Sequence, residues 1–563
     1  MMDELSQSYR ELLHGSYDCV DRIVLNAYEP LLASPGGFRT WWRRLHGGSD
    51  EELDNTHLMR LAGRFSRRVR GFAKSQAIPL IDCSRGDRKH AIAEDYLREH
   101  PDVRGLFLIL VARAVAPVWE VERSGKGIIR NLEKRQAFVN HYSFQIMDAE
   151  WGHITIKMSG HPPFGAQIMV NGHEYVACQA ARRGLPYTKE GNCFTRIERV
   201  GELAQVAEAL SDPRTVGRLS QLCERWIYTA CLCFGLDLAE QEGSDFRYSY
   251  SVYQAEYSRN LIFNSGGEME QVFQGLVDRN RAHLGLRRIR TIFGAKGRSI
   301  WSRDRRTSQV AITLERPVYS VTTFQLHFGK LTVKGYTKGE RVLRFEAIVH
   351  NTRALACGRI LERFPTIISK LKDILERALS TLHYVDHAFI SDATLEQLPA
   401  PCRVGNTRVG GIDIGKPRTR TVLAAVLTLA PAPFGFIAGD LAQAVRELTG
   451  RAMPAYDARR AAYDLQKLRG KDLVVKLAHS HRYQVTGTGL RTITALVVLH
   501  DKVLKPLLAA LSKPSETAQL RARQGRKPKA WSRLDDLYQT LRLTLHALLG
   551  ELHIAQASTI FCG

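Results

Sequence analysis

The sequence lacks the long apolar runs that would carry a chain across a membrane. No segment offers about twenty uninterrupted apolar residues, the length that spans a bilayer. No charged stretch followed by an apolar one opens the chain either, so the sequence indicates no secretory signal. We therefore expect a cytoplasmic protein without a membrane partner.

Closely spaced cysteine pairs are also missing, since the ten cysteines include no C-x-x-C pair. The two nearest, Cys231 and Cys233, stand among apolar neighbours. Structural zinc sites usually draw on such pairs. We therefore expect buried, reduced thiols and no zinc.

Acidic residues are few relative to basic ones. Eighty Lys and Arg face 57 Asp and Glu, which gives a net charge of +23 and a pI near 9.7. This sign of charge favours a polyanionic partner, and phosphate contacts give binding that weakens steeply with salt. Net charge does not distinguish DNA from RNA, so either or both are expected partners.

The chain is too long for one hydrophobic core. It has 563 residues, whereas single cores stop growing at roughly 250–300 residues. We expect an α/β plus α+β, multidomain protein, and we find no internal repeat. The predicted regions are a Rossmann-like α/β domain (1–135), an α+β and helical central region (136–300), a hairpin plus helices (301–400), a winged helix-turn-helix (415–510), a basic linker (511–530) and a C-terminal helix (531–557).

Strand and helix patterns alternate in the first region. Apolar runs at 22–27, 78–81 and 106–111 are separated by helical stretches, one of them at 85–98. Such alternation indicates a small parallel sheet of Rossmann-like type.

The second of these strands runs into Asp82 and a basic helix start. In an open parallel sheet, ligands bind beyond the carboxyl ends of the strands, and a helix N-terminus attracts anions. We predict a phosphate site with a metal ion here, with Asp21 and Asp82 as metal ligands and catalytic carboxylates. The cations of this site would be Arg85, Arg88 and Lys89. Ordinary ion pairs around a capped helix are the alternative.

Residues 419–491 predict three helices followed by a β-hairpin. The third helix, at 455–469, has an apolar stripe, and Gly470 follows where a C-cap belongs. In a winged helix-turn-helix, the third helix enters the major groove and the hairpin reaches the phosphate backbone. We therefore predict nucleic-acid contacts from Arg459, Arg460, Tyr463, Gln466 and Lys467 on the helix and from His481 and Arg482 at the hairpin tip.

The string Ala-Ala-Tyr-Asp-Leu-Gln-Lys-Leu-Arg at residues 461–469, in this order of elements, resembles winged-helix domains of MarR-like regulators. The resemblance implies a nucleic-acid-binding module. A winged helix that serves protein contacts or dimerisation is the alternative. Because winged-helix proteins often dimerise, a homodimer is also expected.

A second hairpin is predicted at 331–350. Its strands alternate so that Lys334 and Lys338 share one face, and Glu346 lies on the returning strand. The order Lys-x-Tyr-x-Lys, turn, Leu-Arg-x-Glu resembles a hairpin of plasmid rolling-circle replication initiators, although this chain has no H-x-H metal pair on a strand. The resemblance implies that Glu346 is a metal ligand and catalytic residue and that the lysines neutralise phosphate. Cross-strand ion pairs are the alternative.

Tyrosines recur at residues 248–257. On a helix, Tyr253 and Tyr257 would share one face with Tyr250, and they are candidate nucleophiles for phosphodiester chemistry. Half-buried packing of the rings is the alternative.

Three strings are similar to those of a widespread family of uncharacterised bacterial proteins, sometimes labelled transposase or MarR-like. They are Asp-Arg-Ile-Val-Leu-Asn at 21–26, Asn-Gly-His-Glu at 171–174 and the hairpin pattern at 334–346. The resemblance covers most of the chain and implies a mobile-element or genome-maintenance context.

These observations predict a nucleic-acid-binding protein of a bacterial mobile element that could cut or rejoin phosphodiester bonds. Mg²⁺ is the expected cofactor, because shared metal ions commonly serve phosphoryl transfer. Two alternatives remain open. One is an RNA-binding component of a ribonucleoprotein, and the other is a non-catalytic transcription regulator.

Overall fold

The structure is a computed structural model. It describes residues 3–84, 86–124, 128–283, 291–293, 311–316, 323–386, 392–449, 456–505 and the single residues 533, 537, 540, 541 and 544. Arg85, the predicted linker at 511–530 and most of the predicted helix at 531–557 lie outside the described residues. No helix in the described part is long and apolar enough to cross a membrane.

The chain divides into two compact units. Unit 1 comprises residues 1–282, 286–383 and 431–433, and unit 2 comprises 283–285, 384–430 and 434–563. The predicted boundary at 135/136 therefore falls inside unit 1, within a long strand.

Unit 1 carries ten of the helices described. They are α1 (Glu4–Ser8), α2 (Pro35–Leu45), α3 (Asn55–Ser75), α4 (Lys89–Glu99), α5 (Gly172–Arg182), α6 (Val200–Glu208), α7 (Thr215–Cys223), α8 (Leu238–Gly243), α9 (Gly266–His283) and α10 (Phe364–Asp386).

The described residues of the same unit form fourteen strands. They are β1 (Leu13–Tyr28), β2 (Leu80–Asp82), β3 (Gly105–Arg123), β4 (Ile129–Asp148), β5 (Gly152–Ser159), β6 (Ala166–Asn171), β7 (Tyr187–Lys189), β8 (Phe194–Ile197), β9 (Ser249–Phe263), β10 (Thr291–Phe293), β11 (Ala311–Arg316), β12 (Thr323–Phe328), β13 (Leu331–Lys338) and β14 (Val342–Val349).

Twelve of these strands form one sheet in the order β10-β11-β12-β13-β14-β9-β1-β6-β5-β4-β3-β2. Among the strand pairs of the described residues, only the outermost ones, β2–β3 and β10–β11, are parallel. The predicted Rossmann-like sheet is therefore wrong, because β1 pairs antiparallel with β6 and β9, and β3 pairs antiparallel with β4. Apolar runs indicate that strands exist but leave their direction open. Here β3, β4, β5 and β6 follow one another with six residues or fewer between consecutive strands. Connections this short produce antiparallel pairs.

The sheet consists of two six-stranded halves with the same topology. Half A is β1–β6, and half B is β9–β14. Each half begins with a long strand, β1 or β9, which is followed by a short strand, β2 or β10. The short strand pairs parallel with the first strand of a four-stranded antiparallel meander. The last strand of the meander, β6 or β14, pairs with the long strand. Because β1 and β9 pair antiparallel at the centre, a 180° rotation about an axis normal to the sheet relates the halves.

Sequence similarity accompanies this topology. Ile-Thr-Ile-Lys at 154–157 on β5 corresponds to Leu-Thr-Val-Lys at 331–334 on β13. The registers also agree: Lys157 faces Gln167 in half A, and Lys334 faces Glu346 in half B. The two halves thus form a structural duplication, and the expectation of no internal repeat is wrong at the level of topology.

On β5 and β6 the two faces of the sheet differ in burial. Side chains along β5 and β6 alternate between buried and half-buried. One face carries buried residues such as Ile154 and Ile156, and α3 covers it through Phe65, whose ring lies 4.9 Å from that of Tyr142. The other, which we call the polar face, carries half-buried residues such as Lys157.

Unit 2 contains three consecutive helices and a hairpin around one core. Its elements are α11 (Asp392–Gln397), β15 (Cys402–Val404), β16 (Thr407–Val409), α12 (Pro417–Leu429), α13 (Ala438–Thr449), α14 (Ala458–Arg469), β17 (Val474–Lys476), β18 (Tyr483–Val485) and α15 (Gly487–Val498). Strands β17 and β18 pair antiparallel. The core joins residues of α12, α13, α14 and α15, among them Val426, Leu441, Leu465 and Ile493.

Candidate functional site

A buried charge cluster lies on the polar face near the centre of the sheet. Its centre is Arg344 of β14, whose side chain is fully buried. The guanidinium forms an ion pair with Asp21 and a second one, at 2.7 Å, with Oε1 of Glu346. One cation thus lies between two carboxylates that the sequence proposed as metal ligands.

A β-bulge brings Asp21 into this cluster. The register between β1 and β9 shifts between Val20 and Ile23, so that Asp21 and Arg22 together face Glu256. A bulge of this kind re-aims a side chain and is common beside functional sites. Asp21 is consequently buried, while Arg22 next to it is exposed.

His173 closes the cluster from the first turn of α5. The N-cap residue Asn171 accepts a hydrogen bond from the His173 amide at 2.9 Å, which fixes the start of the helix. The imidazole is fully buried, and its Nδ1 lies 2.8 Å from Oδ1 of Asp21. Burial lowers the pKa of His173, against the opposing effect of Asp21. The ring is therefore neutral at pH 7.

Hydroxyl groups add further hydrogen bonds to the two carboxylates. Tyr336 donates a hydrogen bond of 2.7 Å to Oε1 of Glu346, and Ser258 donates one of 3.1 Å to Oδ1 of Asp21. Burial alone would raise the pKa of Asp21, but Arg344 and His173 hold it below its usual value. The same carboxylates raise the pKa of Arg344 despite its burial. Asp21 and Arg344 therefore stay charged inside the sheet.

Three side chains of this region have the donor set of a metal site. The ligand atoms of Cys19, Asp21 and His173 lie within 4.8 Å of one another, and all three residues are buried. A sulfur, an oxygen and a nitrogen suit a transition metal better than Mg²⁺. Burial, however, raises the pKa of the Cys19 thiol, and the charge of Arg344 opposes a second cation. The fit to a metal ion is therefore poor.

The proposed metal ligand Asp82 is remote from the cluster. It lies on the edge strand β2, exposed, with Oδ1 at 2.8 Å from Arg70. Five strand spacings separate β2 from β1, which is ~24 Å at the usual spacing. The structure therefore brings Asp21 and Glu346 together without Asp82.

The predicted phosphate site beside Asp82 keeps its basic residues at a helix start. Arg88 occupies the N-cap position of α4, and Lys89 is its first residue. Burial lowers the pKa of Lys89, and Lys157 on the polar face adds to the effect.

Glu256 is the most perturbed accessible acid beside the cluster. It is half-buried and accepts a hydrogen bond of 2.8 Å from Gln254. Burial raises its pKa to about 7, and the nearby Asp21 and Glu346 contribute to the shift. A carboxyl group that titrates near neutral pH could transfer a proton. Glu256 was not among the residues selected from the sequence. The period-two alternation at 249–257 is the sequence signal that could have placed it on a strand.

The two candidate tyrosines lie on a strand, β9, and the predicted helical face is wrong. Tyr257 is buried and donates a hydrogen bond of 3.0 Å to Oδ2 of Asp18. Burial raises the pKa of Tyr257, which weakens it as a nucleophile. Tyr253 is half-buried.

The two lysines of the β13–β14 hairpin have different surroundings. Lys338 donates a hydrogen bond to Oδ1 of Asn192, and burial lowers its pKa. Lys334 lies opposite Glu346 in the register and is half-buried. Lys338 therefore belongs to the buried cluster, whereas Lys334 lies nearer to solvent.

Helix α14 of unit 2 has two contrasting faces. Its N-cap Asp457 accepts a hydrogen bond of 2.9 Å from the Arg460 amide, and Gly470 is the C-cap. Ala461, Leu465 and Leu468 are buried in the core. Exposed on the other face are Arg459, Arg460, Tyr463, Gln466 and Arg469, with Lys467 half-buried.

The charges of α14 are sorted by face. Its single acid, Asp464, is buried and bound at 2.8 Å by both Arg418 and the Tyr456 hydroxyl. All remaining charged residues of the helix are basic. The amino group of Lys467 lies 4.8 Å from the ring centre of Tyr463, a cation–π contact.

The hairpin after α14 carries exposed cations near its tip. His481 and Arg482 are both exposed, and Arg482 also donates a hydrogen bond of 3.1 Å to the Gly435 carbonyl. This bond and an isolated bridge between Phe436 and Tyr483 fix the hairpin to the segment before α13.

No family model, no curated protein and no solved structure matches the chain.

Proposed function

We propose that this protein binds duplex DNA through α14 and the β17–β18 hairpin, which follow one another as in a winged helix-turn-helix. The observation that carries the proposal is the sorting of charge on α14. One face packs in the core with the single acid of the helix, and the polar and aromatic side chains of the other are basic residues, Gln466 and Tyr463.

The exposed groups of α14 suit nucleic acid. Arginines bind phosphate and base edges in a forked geometry, and Gln466 can pair with an adenine edge. A hairpin with exposed His481 and Arg482 lies next in the chain, where a wing contacts the backbone. The net charge of +23 supports the same partner. A mobile element remains the biological context that the family resemblance implies.

Metal-dependent cleavage finds less support than binding. Asp21 and Glu346 share Arg344, so a Mg²⁺ ion would have to displace a buried guanidinium from both. We therefore propose nucleic-acid binding alone. Cleavage is tested separately, by incubating the protein with labelled duplex in the presence and in the absence of Mg²⁺.

The test compares Arg459→Ala/Arg460→Ala with the full wild-type chain on a labelled mixed-sequence duplex, by fluorescence anisotropy at several salt concentrations. Each lost phosphate contact lowers the slope of log K against log salt by about one, so the double variant should lose up to about two. Arg67→Ala/Lys74→Ala is the matched control, because both residues are exposed on α3 of unit 1.

Equal binding by the Arg459/Arg460 variant and the wild type would contradict the proposal. Preferential binding of a structured RNA, in competition with the duplex, would favour the ribonucleoprotein alternative. Binding confined to one DNA sequence and changed by a small phosphorylated ligand would favour the regulator.

A further inference from the structure

We infer that half A binds the phosphate group of a small ligand beside the first turn of α4. The site, which we call the α4 site, consists of Lys89, His141, Ser143, Gln145 and Lys157. The inference does not depend on the proposed function, because it concerns unit 1 and a ligand much smaller than DNA.

One row of paired residues carries the α4 site across the polar face. Leu110 of β3 pairs with Ser143 of β4, Ser143 pairs with Lys157 of β5, and Lys157 pairs with Gln167 of β6. Residues that face each other in neighbouring strands have their side chains on the same side of the sheet. Ser143 and Lys157 are therefore neighbours on the polar face, with the apolar Leu110 beside them.

Helix α4 begins next to this row. Its Ala93 packs in one apolar cluster with Leu108 and Leu110, and Ile92 packs against that cluster. Lys89 is the first residue of α4 and lies one turn before Ile92 and Ala93, on the same side of the helix. Two strand steps, ~10 Å, separate β3 from β5. The positive end of α4 and Lys89 thus lie on the side of the row where Leu110 ends.

Asp82, the carboxylate that the sequence placed in a phosphate site, lies on the opposite face. It pairs with Val111, the neighbour of Leu110, and its side chain contacts Arg70 of α3. An anion at the α4 site therefore meets no repulsion from this acid.

The cations of the α4 site have no anionic partner. Lys89 and Lys157 are half-buried, and neither forms an ion pair or a hydrogen bond with any residue that the structure describes. Burial lowers the pKa of Lys89, and the charge of Lys157 lowers it further. Burial, Lys157 and Lys89 likewise lower the pKa of His141. Cationic groups that disfavour one another's charge are stabilised when an anion binds between them.

Two nearly buried side chains add neutral donors. Ser143 is 4% exposed and Gln145 is 3% exposed. The Ser143 hydroxyl has no hydrogen-bond partner in the described part of the chain. Thr155 donates a hydrogen bond of 2.8 Å to the Gln145 carbonyl oxygen, and the Gln145 amide nitrogen has no partner within the described ranges.

Buried donors are usually paired, so unpartnered ones point to a ligand. Neither donor belongs to the described polar atoms that are both enclosed and unpartnered, so each keeps some contact with solvent. A ligand oxygen can therefore reach both.

The chemistry of the α4 site fits a phosphate group. Two ammonium groups match the charge of a phosphate dianion, and its several oxygens can accept from both lysines, the Ser143 hydroxyl and the Gln145 amide. The two neutral donors lie low in the sheet beside α4, where a small ligand reaches them more easily than a duplex does.

The first experiment is calorimetric titration of the full chain with inorganic phosphate and, separately, with phenyl phosphate, at constant ionic strength in chloride. We expect saturable binding with one ligand per chain. Equal affinities would identify free phosphate as the ligand, and tighter binding of phenyl phosphate would identify a phosphomonoester.

Lys157→Met and Ser143→Ala should each weaken this binding about tenfold or more, because each removes a hydrogen bond to a charged group. Lys74→Met is the matched control, because Lys74 is exposed on α3, which covers the opposite face. This control should bind phosphate as the wild type does.

Thermal unfolding separates ligand binding from a structural role. Without phosphate, Lys157→Met should melt at the wild-type temperature or above it, because the substitution removes an unpaired cation that disfavours Lys89. With phosphate, the melting temperature should rise for the wild type and for Lys74→Met, and by less for Lys157→Met. A lower melting temperature of Lys157→Met without phosphate would show that the lysine is structural and would overturn the inference.

Two further results would contradict the α4 site. One is the absence of saturable binding of either phosphate, or equal binding by the wild type, Lys157→Met and Lys74→Met. The other is a loss of duplex affinity in Lys157→Met as large as in Arg459→Ala/Arg460→Ala, which would assign the lysine to DNA. A chain that binds phosphate but no duplex would keep this inference and refute the proposed function.

Discussion

Arg344 is the residue on which the centre of the sheet depends. Two carboxylates from different strands share its guanidinium, and a buried imidazole contacts one of them. Half A has Gly165 at the corresponding position, two residues before Gln167. The central guanidinium therefore has no counterpart in half A, although half A supplies Asp21 to the cluster, and the two halves differ in their chemistry.

Removal of this guanidinium should strongly destabilise unit 1. Arg344→Ala leaves Asp21 and Glu346 buried without a counter-charge, and breaking a buried ion pair in this way costs about 3–5 kcal/mol. Urea unfolding followed by tryptophan fluorescence measures the effect, since Trp41, Trp42 and Trp151 are buried in unit 1. Arg353→Ala, at an exposed position, should change stability by less than about 0.5 kcal/mol. Equal effects of the two substitutions would show that the cluster contributes nothing to stability.

Glu256 should make stability depend on pH. The pKa of Glu256 is about 7 in the folded chain and 4.5 for an unperturbed glutamate carboxyl, so the native state binds more protons between these two pH values. Its contribution is full below pH 4.5 and is lost as pH rises through 7, by at most about 3 kcal/mol. Glu256→Gln removes this loss of stability, because glutamine does not ionise. The variant should gain stability relative to wild type from pH 5 to pH 8 in urea unfolding, and a constant difference would contradict the assignment.

At the scale of elements, patterns with a local cause were predictable from the sequence. The β13–β14 hairpin and α14 form as expected, because alternation, an N-cap and a C-cap glycine act within a few residues. The tyrosine segment at 249–257 was misassigned to a helix. Its alternating Ser and Tyr favour a strand, and β9 pairs with partners eighty or more residues away in sequence.

The core face of α14 should be essential to the element that we propose binds DNA. Leu465 is fully buried, and Leu→Ala changes at such sites cost about 2–5 kcal/mol. Leu465→Ala should therefore speed amide hydrogen exchange of α14, whereas the exposed neighbour substitution Gln466→Ala should leave exchange nearly unchanged. The same exchange rates in both variants would mean that α14 does not depend on this core.

At the scale of the whole molecule, the duplication was the main feature missed from the sequence. The repeated segments on β5 and β13 share few identical residues, and Lys157 and its counterpart Lys334 are 177 positions apart in the sequence. Strand direction and strand order depend on contacts between distant segments, which periodicity does not report. The same limit applied to the site. Asp21 and Glu346 were proposed from the sequence, but Arg344 could be identified as their shared partner only from the register of β1, β9 and β14.

The most direct test of the central claim is the affinity of the full wild-type chain for duplex DNA over a series of salt concentrations. The account predicts tight binding at low salt and a linear fall of log K with log salt, with a slope of several units, since each phosphate contact contributes about 0.9. Absence of duplex binding at low salt, or an affinity that does not change with salt, would contradict it.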